Sequence, residues 1–185
     1  MVTVVDLSTD ATGIDGLVVV TMKQVTDERG TIREFYRESA FVDAGLPSLG
    51  PWVQVNVTET VRGAIRGMHG EAMTKLVSVA SGRAHGAYVD VRSASATFGA
   101  VVQVELVPGT QVLVPPGVCN GFQALEDGTQ FLYCFDVEWQ PAMAGIACTP
   151  LDPALGIDWP IAVDPDDEAQ VSAKDRSAPR LAELP

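Results

Sequence analysis

His69 stands near the end of the segment Val61-Arg62-Gly63-Ala64-Ile65-Arg66-Gly67-Met68-His69-Gly70 and is one of only two histidines in 185 residues. An imidazole titrates near neutral pH, and the arginine three positions earlier carries the planar fork that grips a phosphate. Together they suggest proton chemistry on a phosphorylated small molecule. A surface arginine beside a histidine satisfied inside the core is equally compatible with these residues alone. The second histidine, His85, shares a strand face with Ala87 and Val89 and reads as packed rather than catalytic. Two imidazoles fall short of the three that a three-histidine barrel site needs, so neither a metal nor another cofactor is expected. Tyr133 shares a face with Phe131 and Phe135. That company favours an aromatic core stripe, and a phenol at a barrel mouth serving as proton donor is the functional alternative. Trp139, just beyond, is placed either to stack on a planar base or to cap a barrel.

Such groups need strands to hold them. Short β-rich runs separated by glycine, proline and acidic turns predict strands over Gly16–Val25, Thr31–Tyr36, Trp52–Val57, Lys75–Ala80, Ala84–Val91, Ala100–Val107, Gln111–Val114 and Gln130–Val137. In Gln54-Val55-Asn56-Val57-Thr58 the polar side chains fall on one face. Helical signal is confined to about Ser39–Ala44 and Asp167–Val171. The pattern predicts an all-β sandwich or jelly roll. Residues 1–185 are expected to form one domain, with a core over about 16–160 and a tail, 161–185, wrapping its surface.

Composition narrows the partners. Lysine and arginine number 12 against 24 acidic residues, a net charge of −12 that repels nucleic acid and anionic membranes. An anionic ligand must therefore be held by a local group of arginines. Cys119, Cys134 and Cys148 form an odd set without CxxC spacing and read as reduced, buried thiols. No apolar run is long enough to span a bilayer, and a cytoplasmic protein is expected.

Asp27-Glu28-Arg29-Gly30, Gln54-Val55-Asn56, Arg66-Gly67-Met68-His69, Val89-Asp90-Val91-Arg92, Thr97-Phe98-Gly99, Val114-Pro115-Pro116-Gly117, Gly121-Phe122, Asp158-Trp159-Pro160 and Ser172-Ala173-Lys174-Asp175 follow one another in an order that resembles the dTDP-4-dehydrorhamnose 3,5-epimerase family. The resemblance covers about Gly16 to Pro179. It implies a cupin-type jelly roll, usually a metal-free homodimer, acting on a nucleotide sugar. In this family a proton beside the ketone of a dTDP-4-keto-6-deoxyhexose is removed and returned to the other face, at C3, C5 or both. By the same resemblance His69 matches the base and Asp175 the carboxylate that orients it. Tyr133 matches the opposing proton donor, and Lys75 the lysine near the keto oxygen. Arg29 and Arg66 match diphosphate contacts. Glu34, Gln54, Asn56 and Asn120 match positions lining the nucleotide and sugar site, and Trp139 matches a base-stacking tyrosine.

The chain also departs from that pattern. Gly70-Glu71 replaces an aromatic-Gln pair, and about four residues are missing between His69 and Lys75. Cys119-Asn120 replaces Ala-His, while Gly86 and Ala144 stand where aspartate and glutamate are common. The expected activity is epimerisation. A 3,4-ketoisomerase and a non-catalytic sugar-nucleotide binding protein are the alternatives.

Overall fold

The computed structural model describes residues 1–141, 143 and 145–184, so Ala144 lies outside the described residues. The chain runs β1 (Thr3–Val5), β2 (Ser8–Ala11), β3 (Val18–Thr21), β4 (Lys23–Asp27), β5 (Gly30–Glu34), α1 (Glu38–Asp43), β6 (Gln54–Thr60), β7 (Ile65–Glu71) and β8 (Lys75–Ser81). It continues through β9 (Ala84–Asp90), β10 (Val101–Leu106), β11 (Thr110–Val114), β12 (Val118–Ala124), β13 (Thr129–Phe135), β14 (Gly145–Ala147) and α2 (Ala173–Arg176).

A six-stranded sheet, β2-β3-β11-β8-β13-β6, faces a five-stranded sheet, β10-β9-β12-β7-β14. Phe122 of β12 and Phe131 of β13 stack across the gap at 3.9 Å between centroids, joined by Val77, Val79, Tyr88, Leu106 and Val112. Burial of each such side chain is worth about 1.5–3 kcal/mol. Both outer faces are covered as well. Around α1, Phe41, Leu46 and Leu49 pack on the six-stranded sheet, while Leu155 and Trp159, with Leu181 and Leu184 of the tail, pack on the other. Coverage on both sides explains why β9 and β12 are almost wholly buried and do not alternate.

The all-β expectation holds, with several differences of detail. Gly16–Val25 is not one strand: the chain turns at Met22, and β3 and β4 enter different sheets. β7 and β12 were not predicted, because glycine is a poor strand former and dilutes the apolar pattern. Here those glycines allow a close approach. A Cβ on Gly67, whose φ is +128°, would lie 2.5 Å from the Gly121 Cα. Asp167–Val171 forms turns rather than a helix, and the helical turn follows at α2, where Ser172 caps the Asp175 N–H. The tail does wrap the barrel: Ile65 bridges Val171, and buried Gln123 ties to the Ile161 backbone. All three cysteines are free and buried. Among the described residues no helix is long and apolar enough to cross a membrane.

Candidate active site

One end of the space between the sheets is filled by the phenylalanines, and the other opens as a cavity of about 630 Å³. β7 brings Arg66, His69 and Glu71 to its wall from the five-stranded sheet, with Asn120 from β12. β6 and β13 bring Asn56, Thr58 and Tyr133 from the six-stranded sheet. A molecule in the cavity therefore meets His69 from one side and Tyr133 from the other.

His69 Nε2 lies 2.7 Å from Asp175 Oδ1. The carboxylate is 7% exposed and reaches the site from α2, 106 residues further along the chain. Burial works against its ionisation, but hydrogen bonds from His69, from Ser172 and from the Gly67 N–H outweigh that and hold Asp175 below the usual carboxylate value. That contact occupies one ring nitrogen and leaves the other without a protein partner among the described residues. Among the described residues no three metal-ligating side chains converge.

Tyr133 belongs to the aromatic stripe and also reaches the cavity. Its ring lies 4.9 Å from Phe131 and 5.8 Å from Phe135 between centroids. Burial pushes its phenol well above the ordinary value, and the nearby Arg66 charge only partly opposes this. The phenol is therefore kept protonated at neutral pH. Arg66 anchors its Nε on Thr60 Oγ1 at 3.1 Å, and its two terminal amino groups have no protein partner among the described residues. Gln54 sets its neighbours: its side chain donates to Asn56 Oδ1 at 3.1 Å and accepts the Trp139 backbone N–H at 2.8 Å. Trp139 lines the cavity mouth and is 45% exposed. His85 stands apart, bound to Gln103 at 2.9 Å and edge-on to Trp159, as a packed residue would.

Five expected residues do not line this chain's cavity: Gln54 and Asp175 sit behind it, bound to Asn56 and His69, and Lys75, Arg29 and Glu34 are held elsewhere. Lys75 is buried behind the wall, donating to Asn120 Oδ1 at 2.7 Å and to the His69 carbonyl at 3.1 Å, and paired with Glu71. The short link between β7 and β8 starts β8 at Lys75, just four residues beyond Glu71, and holds it there. Arg29, in the β4–β5 turn, and Glu34, at the end of β5, belong to the separate three-stranded sheet β1-β4-β5, paired with Asp27 and Arg37. Glu71 and Lys174 also line the cavity without having been nominated; each adjoins a nominated segment, but neither residue type carried a signal of its own. At Gly86 a Cβ would meet the Tyr88 Oη at 3.0 Å, so the tyrosine occupies the room a longer side chain would need.

Residues 11–183 match the sequence profile of the dTDP-4-dehydrorhamnose 3,5-epimerase family. The dTDP-4-dehydrorhamnose 3,5-epimerase of Methanothermobacter thermautotrophicus is 34% identical over 180 residues, covering 94% of each chain. The dTDP-4-dehydro-6-deoxyglucose 3-epimerase of Streptomyces bikiniensis is 34% identical over 165 residues, covering 85% of this chain and 80% of that one. Among solved structures, RmlC from Streptococcus suis in complex with dTDP-D-xylose superposes with a TM-score of 0.86 at 28% identity, over 98% of this chain and 94% of that one.

Proposed function

This chain belongs to the dTDP-4-dehydrorhamnose 3,5-epimerase family, with its cupin-type jelly roll, and from that premise we propose how its cavity works. It is an isomerase, a nucleotide-sugar epimerase acting on a dTDP-4-keto-6-deoxyhexose. Neutral His69 takes the proton from the carbon beside the C4 ketone, and the C–H electron pair moves into an enolate. Asp175 stabilises the imidazolium formed. Tyr133 then delivers its phenolic proton to the opposite face of the same carbon, inverting it, and Arg66 offsets the phenolate charge until solvent restores the proton. The diphosphate binds Arg66, and Trp139 stacks on the base. The single observation that carries this reading is the His69–Asp175 pair at 2.7 Å on one wall, with the half-buried Tyr133 phenol on the other.

The working unit we propose is a metal-independent, cytoplasmic homodimer of single-domain chains. The pattern on β6 supports it: Asn56 and Thr58 face the cavity, whereas Val55 and Val57 are more than half exposed on the outer side of an edge strand. Exposed Val4 and Ile32 on the separate sheet supply a matching apolar surface. A second copy laying that sheet against β6 would bring its own Arg29 and Glu34 to this cavity.

Incubation with dTDP-4-keto-6-deoxyglucose in D2O tests the activity. Deuterium at C3, C5 or both is expected by NMR. No incorporation, or a carbonyl displaced from C4, overturns the reading.

A further inference from the structure

Lys75, Glu71 and Asn120 form a closed unit against the cavity wall. The lysine is 3% exposed. Its ammonium donates to two acceptors, Asn120 Oδ1 and the His69 carbonyl, and pairs with the Glu71 carboxylate, which offsets its charge. Buried behind the wall, it is not among the groups that line the cavity. Asn120 lies directly opposite His69 in the β7–β12 ladder, so the two side chains share a face and line one cavity. A lysine only donates, so the branch of the Asn120 amide that meets it is the oxygen. Nδ2 is then the branch turned away from Lys75, and it has no protein partner among the described residues.

We propose that the Asn120 Nδ2–H, and not Lys75, donates the hydrogen bond to the C4 keto oxygen as the enolate forms. The inference rests on the epimerase reading. The C–H pair becomes the C=C bond and the carbonyl π pair moves to oxygen, while the amide keeps its proton and only hydrogen-bonds to the developing charge. Lys75 is a positioning residue: it fixes the amide's orientation and polarises it from behind. Glu71 is a second positioning residue, holding Lys75 away from the substrate. A neutral, polarised donor thus stands beside the histidine where the family resemblance implies a lysine.

Deuterium exchange at C3 and C5, followed under initial-rate conditions, tests this. Asn120→Ala and Asn120→Asp should each lower kcat about 10²–10³-fold, the usual effect of losing one donor to a developing oxyanion. KM should stay within about threefold, since the contact strengthens mainly in the transition state. Asn120→His, which restores an N–H, should recover part of the rate. The paired change Lys75→Met with Glu71→Gln removes both charges together. It should slow the otherwise unmodified enzyme about tenfold yet add nothing in the Asn120→Ala background, because its effect passes through the amide. An Asn120→Ala rate close to that of the unmodified enzyme overturns the proposal, as does a paired change that costs the same in both backgrounds. Calorimetric binding of dTDP to each variant confirms that the site is folded. Absence of exchange in the unmodified protein overturns the epimerase reading itself; exchange there, unchanged in Asn120→Ala, overturns only the assignment of the donor.

Discussion

Asp90 and Asp175 are both buried carboxylates held below the usual carboxylate value, yet the corners they occupy do different things. Asp90 accepts from Arg92 Nε at 2.8 Å and Nη2 at 2.7 Å, from Ser95 Oγ and Thr97 Oγ1 at 2.6 Å each, and from the Arg92 N–H at 3.1 Å. Burial opposes its charge there too, and these donors outweigh it. Every partner is permanent, and the corner staples the end of β9 to the following loop. Asp175 instead faces a histidine whose ring opens on a cavity. The proposed mechanism gives this carboxylate a part in proton transfer, whereas the donors around Asp90 fit it for stability alone.

The widest separation should appear in turnover. Asp175→Asn and His69→Ala are expected to slow deuterium exchange about 10²–10⁴-fold with little change in melting temperature. Asp90→Ala should do the reverse, costing about 3 kcal/mol of stability because Arg92 is left without its partner. For a chain of this size that lowers Tm by about 6–12 °C, with exchange per folded molecule preserved. A melting curve and an exchange assay on the same samples would break the contrast if either variant moved both readouts.

Acid titration sharpens it further. Asp90 has a lower value folded than unfolded, so its contribution is complete above the ordinary value of 3.8 and is lost as pH falls below it. Denaturant melts between pH 5 and 2 should therefore show a steep loss of stability that Asp90→Asn flattens. The smallest effect is expected at the cap of α2. Ser172→Ala should cost about 1 kcal/mol in stability and slow exchange modestly, because it loosens the turn that aims Asp175.

What the sequence revealed, and what it concealed, follows from the same physics. The alternation of Gln54–Thr58 was readable because Asn56 and Thr58 line the cavity while Val55 and Val57 lie on the opposite, exposed face. β7, the strand bearing His69, was not, because Gly67 and Gly70 serve close backbone contact rather than strand propensity. Asp175 was nominated only through the family resemblance; no periodicity links residues 106 positions apart. Lys75 was nominated as a keto-oxygen ligand, and its capture by Glu71 depends on the length of a turn and on a cross-strand neighbour, Asn120, that pattern alone does not reveal.

The placement of Asp175 also makes the site a junction between the barrel and the tail. The barrel strands end at Ala147, and the segment from Ile161 is pinned along the surface by Gln123 and Ile65 on its way to α2. Under the proposed mechanism, a barrel clipped between Ile161 and Ser172 is expected to lose turnover, because the carboxylate paired with His69 comes from beyond the cut.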